Sequence, residues 1–188
     1  MTPAARSLVM RWAANGALAG AGSAGILMWI DRLQFHDLQN PTFFVLPGLA
    51  FGLVVALPLW RRGLAGGWPC AIFIAASIIA WPAGYHTGGG LMLAIEAKGL
   101  LRLAPAGFAG GLVWAAISTA AALNFPFMRT GRIRPVLVIA GGLTGALCVS
   151  LLEFLGQWGF GPVYIVLWGV WYAVQGGLIA MALPDTDC

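Results

Sequence analysis

Residues 41–62 read PTFFVLPGLAFGLVVALPLWRR. The run from Pro41 to Trp60 carries no charge and is closed by a tryptophan and then by the pair Arg61-Arg62. At 1.5 Å of rise per residue, about 20 such residues match the roughly 30 Å hydrocarbon thickness of a bilayer. The indole suits the headgroup layer and the two guanidinium groups resist entry into lipid, so the stretch reads as a membrane-crossing helix.

Working outward, the pattern recurs along the whole chain of 188 residues, which is 60% hydrophobic and only 9% charged. Its mean hydropathy is +0.87. That little charge cannot cover a water-facing surface, which excludes an ordinary soluble fold. The expected spans are Leu8 to Ile30, Pro41 to Trp60, Trp68 to Gly84, Pro105 to Phe125, Pro135 to Gln157 and Pro162 to Leu183. The chain therefore reads as an all-α integral membrane bundle of about six helices, a single polytopic unit over residues 1–188. Tryptophans 12, 29, 60, 68, 81 and 158 fall at the ends of these spans, as expected of an interfacial belt.

The net charge of +4 does not point to nucleic acid, because the basic residues stand in short clusters between apolar runs. Arg6, Arg11, Arg61, Arg62, Arg129, Arg132 and Arg134 fall on one side of the membrane, against Arg32, Lys98 and Arg102 on the other. The excess marks the cytoplasmic side, with both chain ends there, and a bacterial cytoplasmic (inner) membrane is the expected location. The first span is longer than a secretory h-region and is expected to stay as an anchor. Cys70, Cys148 and Cys188 form no metal or redox spacing.

Residues 86–102 interrupt the pattern. Glu96, Lys98 and Arg102 punctuate a stretch in which Leu91, Met92, Ile95, Leu100 and Leu101 are apolar, so an outer interfacial or re-entrant segment is expected. Its opening glycines, Gly88 to Gly90, read as a hinge; without a following Lys-Ser/Thr they make no phosphate loop.

Small residues four apart recur as Ala13, Ala17 and Ala21, as Gly48 and Gly52, as Gly107 and Gly111, and as Ala173 and Gly177. Such faces let helix backbones approach closely. The second, fourth and sixth spans share the pattern small-x-x-x-Gly-Leu-(Val/Ile), which suggests three repeated helical hairpins. In size, six-span layout and the alanine face of the first helix, the chain resembles the substrate-capture subunits of energy-coupling-factor vitamin transporters. The resemblance implies that Ala13, Ala17 and Ala21 dock a partner subunit, and it carries over no substrate residue.

Polar groups inside hydrocarbon are the default functional candidates. Gln175, deep in the sixth span beside Gly176 and Gly177, leads them. Glu153 near the outer boundary joins Asp31, His36, Asp37, His86 and Glu96, all assigned to the outer side, as candidates for a solute or ion path. Asn15, Ser77, Ser118, Thr119, Asn124, Thr144 and Ser150 are weaker, since hydroxyls can bond back to their own helix. No metal motif or catalytic signature is present, and nothing indicates a cofactor.

Three functions fit these features. The first is a small permease-like protein with its site among the second, fourth and sixth spans near Gln175. The second is a non-catalytic packing or assembly subunit of a larger membrane complex, or a homo-oligomer, associating through its small-residue faces. The third is an outer-face enzyme in which Glu153 and His86 converge across the third and fifth spans.

Overall fold

The computed structural model describes residues 3–32, 41–128, 133–155 and 160–183. They form six long helices with no strand among them: α1 (Pro3–Arg32), α2 (Pro41–Arg61), α3 (Gly67–Ala94), α4 (Leu100–Ala122), α5 (Ile133–Leu155) and α6 (Phe160–Met181). Five, α2 to α6, are long and apolar enough to cross a membrane. The chain is an integral, polytopic membrane protein on that ground. The glycine- and alanine-rich α1 is less apolar, yet it lies antiparallel on α6 from Gly25, which faces Ile165, to Val9, which faces Gly177. Packed so, α1 traverses the same layer as α6.

Every helix packs against the next in sequence, and α1 closes the ring against α6. The facing residues fix an up-and-down course: Gly52 meets Ile74, Gly84 meets Gly110, Gly111 meets Gly141, and the Cys148 thiol donates to the Leu167 carbonyl at 3.5 Å. The links between α2 and α3 and between α4 and α5 therefore share one end of the bundle with the start of α1. We call this the near end.

Glycine makes the ring possible. A Cβ added at Gly16 would run into the backbone carbonyl of Tyr172, and one at Gly20 into that of Trp168. Gly48 lies equally close to Ser77 and Ile78, Gly107 to Gly145, and Gly111 to Gly141. Without a hydrophobic driving force between helices in lipid, such intimate van der Waals contact holds a bundle together. The repeated motif has a common role: on α2, α4 and α6 alike it faces the following helix of the ring, Gly177 meeting Ala13 and Val9 of α1.

Residues 86–102 differ from expectation. α3 does not stop at Trp81-Pro82 but runs on to Ala94, and Gly88 to Gly90 are helical rather than a hinge. The segment is the end of α3, a short link and the start of α4, and is neither a re-entrant loop nor a separate interfacial helix. The reason is packing: Gly84 and Gly88 press against Gly110 and Ala106 of α4, so residues that read as a break are the contact stripe of a helix pair. At about 1.5 Å per residue the 28 residues of α3 outreach the roughly 30 Å hydrocarbon layer. Gly99, with φ of 60°, turns the chain back into α4, and the Arg102 Nε donates to the Met92 carbonyl across the link.

The middle of the ring is filled by aromatic side chains. Phe51, Phe73, Trp114, Phe125 and Tyr172 are each almost wholly buried. Phe51 touches Phe73, Trp114 and Tyr172 with ring centroids 6.1, 4.8 and 5.0 Å apart. The Tyr172 hydroxyl donates to the Pro47 carbonyl at 2.7 Å, tying α6 to α2 across the centre. At the near end the turn Pro126–Met128 tucks Met128 under the bundle, and the Arg134 Nε donates to the Met128 carbonyl at 2.8 Å.

Candidate functional site

α4 and α6 flank α5, and each presents one turn-spaced pair of polar side chains to the interior. On α4 the pair is Trp114 and Ser118; on α6 it is Trp171 and Gln175. A spacing of four residues sets both members of a pair on the same helix face. The two faces meet: the rings of Trp114 and Trp171 stand edge to face with centroids 5.7 Å apart. Gly141 of α5 comes against Gly111 and Ala115 of α4 on one side and the Gln175 Nε2 on the other, a Cβ there standing 3.4 Å from the amide nitrogen.

One polar atom on each of the four residues is buried and unpartnered: Trp114 Nε1, Ser118 Oγ, Trp171 Nε1 and Gln175 Nε2. Gln175 is 3% exposed, Ser118 6% and Trp114 1%. An unsatisfied buried donor costs about 1–3 kcal/mol, and the hydrocarbon surroundings of a membrane helix offer no water to relieve it. The contrast with other polar groups is sharp. Ser23, Ser77, Thr87 and Thr144 all bond back to carbonyls of their own helix, and Trp81 Nε1 donates to the Phe43 carbonyl at 3.1 Å. Ser118 has the same option one turn back and does not use it.

Gln175 lies in α6, six residues before its end at Met181, and so toward the near end rather than at the midpoint. His86, exposed near the far end of α3, stacks on Phe44 of α2 at a centroid distance of 5.5 Å, with Tyr85 beside it. It is turned toward α2, whereas α5 lies beyond α4, so its own contacts do not support a pairing with Glu153. Glu96 is exposed in the link between α3 and α4. His36 and Asp37 lie outside the described residues, as do the side chains of Asp31 and Glu153. Among the described residues no group of three or more His, Cys, Asp and Glu side chains could hold a metal ion.

The packing candidates are all engaged inside the bundle. The carbonyl of Ala17 and the Cβ of Ala21 face Gly169, and the Cβ of Ala13 faces Gly177. The alanine face that suggested a docked partner is therefore the α1–α6 contact. Gly48 and Gly52 serve α2 against α3, and Gly107 and Gly111 serve α4 against α5. Trp12 and Trp81, expected in an interfacial belt, are core residues, while Trp29, Trp60 and Trp68 are exposed as a belt requires.

The sequence marks Gln175 and, more weakly, Ser118, but gives no reason to set Trp114 and Trp171 apart from ordinary packing bulk. A lone amide in an apolar helix is visible locally. An unpartnered indole N–H is visible only once its neighbours are known. Comparison with protein-family models, with curated proteins and with solved structures finds no match.

Proposed function

We propose that the chain is a small permease-like protein that moves a small solute, held in transit between α4, α5 and α6 at Gln175, Ser118, Trp114 and Trp171. One observation carries this reading: four buried donors stand without partners in a bundle whose other hydroxyls mostly satisfy themselves. Polar atoms left open in hydrocarbon are costly, and a passing solute is what would relieve them. The distribution of Lys and Arg supports an orientation with the near end on the cytoplasmic side of a bacterial inner membrane. His86, Glu96 and the acids assigned to the far side would then meet the solute first.

The filled aromatic centre favours a second reading, an assembly subunit whose interior is only structural. A partner would then cover the large apolar exterior, because the small-residue faces are used within the ring.

Purified protein in proteoliposomes, tested by solute-jump electrophysiology and tracer uptake over a panel of small anions, cations and neutral solutes, separates the two. A permease gives a saturable response that Gln175→Leu and Trp114→Phe lower at least tenfold. An absence of flux over the whole panel, with a stoichiometric partner in native-membrane purifications, would overturn the proposal in favour of the subunit.

A further inference from the structure

The unpartnered atoms at this site share one chemical sense. All four can donate: the two indole N–H groups and the amide NH₂ do nothing else, while the Ser118 hydroxyl can also accept, and the only side-chain carbonyl among the four residues is the Gln175 Oε1. A cation would need the opposite: carboxylates or converging carbonyls. The one acidic residue of α5, Glu153, lies 12 residues beyond Gly141, about 18 Å along the helix, and α4 and α6 contain no acid. No Lys or Arg lies on α6; Arg102 of α4 is engaged at the far link and Arg134 of α5, seven residues before Gly141, donates to the Met128 carbonyl at the near end, so the donors work without a fixed positive charge beside them.

We infer that the interior site selects a small solute presenting hydrogen-bond acceptors and no positive charge, such as a carboxylate, a halide or a carbonyl compound. This rests on the permease reading for its biological sense and deepens it. Each indole N–H has a proton to give to an acceptor atom, and the Gln175 amide and the Ser118 hydroxyl, one turn along the same helices, have protons for others. The close approach of Gly141 to Ala115 and to Gln175 leaves little space between the three helices, so the solute is small.

The test uses full-length protein with ¹⁵N-indole tryptophan in lipid nanodiscs, where an indole proton moves downfield when it gains an acceptor. Acetate, N,N-dimethylformamide and methylammonium are the probes, and Trp114→Phe and Trp171→Phe assign the two signals. The expected result is a saturable downfield shift of both with acetate, with dimethylformamide or with both, and none with methylammonium. Response to acetate alone identifies an anion, and to dimethylformamide alone a neutral carbonyl. Gln175→Leu and, independently, Ser118→Ala should weaken the acceptor's affinity at least fivefold. Equal response to methylammonium, indifference to either substitution, or exchange with water and no response to any probe would overturn the inference. Probe binding without flux in proteoliposomes would leave it standing and remove the permease reading; flux with unresponsive indoles would do the reverse.

Discussion

At the residue scale, the bundle contains polar side chains in two conditions, and they should respond to substitution in opposite ways. The Tyr172 hydroxyl has a buried partner in the Pro47 carbonyl. Tyr172→Phe removes that bond between α6 and α2, so unfolding by a graded anionic detergent should show a loss of about 0.5–1.5 kcal/mol. The Gln175 amide nitrogen has no partner to lose. Gln175→Leu should therefore leave stability unchanged or raise it by up to about 1 kcal/mol in the same assay, even as the proposed solute flux falls at least tenfold. A loss of more than about 2 kcal/mol for Gln175→Leu would mean that the amide is structural. Gln175 was legible in the sequence because its polarity conflicts with its neighbours; Ser118 was not distinguished from Ser77 and Thr144, because only the fold decides which hydroxyl bonds back to its helix.

At the scale of the helices, glycine positions divide into those in contact and those in open space. Gly16→Ala drives a methyl group into the Tyr172 carbonyl, whereas Gly22→Ala on the same helix meets nothing within 4 Å. The first should cost about 1–3 kcal/mol by overpacking. The second should be neutral or stabilising by up to about 1 kcal/mol, as alanine holds a helix better than glycine. Gly111→Ala and Gly89→Ala repeat the comparison on α4 and α3, and thermal unfolding in detergent measures all four. Equal effects within either pair would contradict the assigned helix contacts. The small-residue spacing was plain in the sequence, but its partner was not: Ala13, Ala17 and Ala21 meet α6, a helix about 150 residues further along the chain. The length of α3 was misjudged for a related reason, since Gly84 and Gly88 weaken an isolated helix yet tighten one packed against Gly110.

For the whole molecule, the ring sets which loops share a side. Gly63, in the link between α2 and α3, and Lys98, in the link between α3 and α4, are both exposed and lie at opposite ends of α3. With the native cysteines replaced, Gly63→Cys should be labelled by an impermeant thiol reagent only from the cytoplasmic side and Lys98→Cys only from the other. Labelling of both from one side would refute the crossing of α3. The membrane class and the number of helices were determined by the sequence alone, because the cost of exposing backbone and charge to lipid acts locally and leaves its mark in every run of 20 residues. Closure of the ring by α1 on α6, the inward turn of Trp12 and Trp81, and the isolation of four donors on α4 and α6 were decided only by the tertiary structure. Whether a polar atom is satisfied depends on what stands within about 3 Å of it, and in a six-helix ring that neighbour belongs to a different helix.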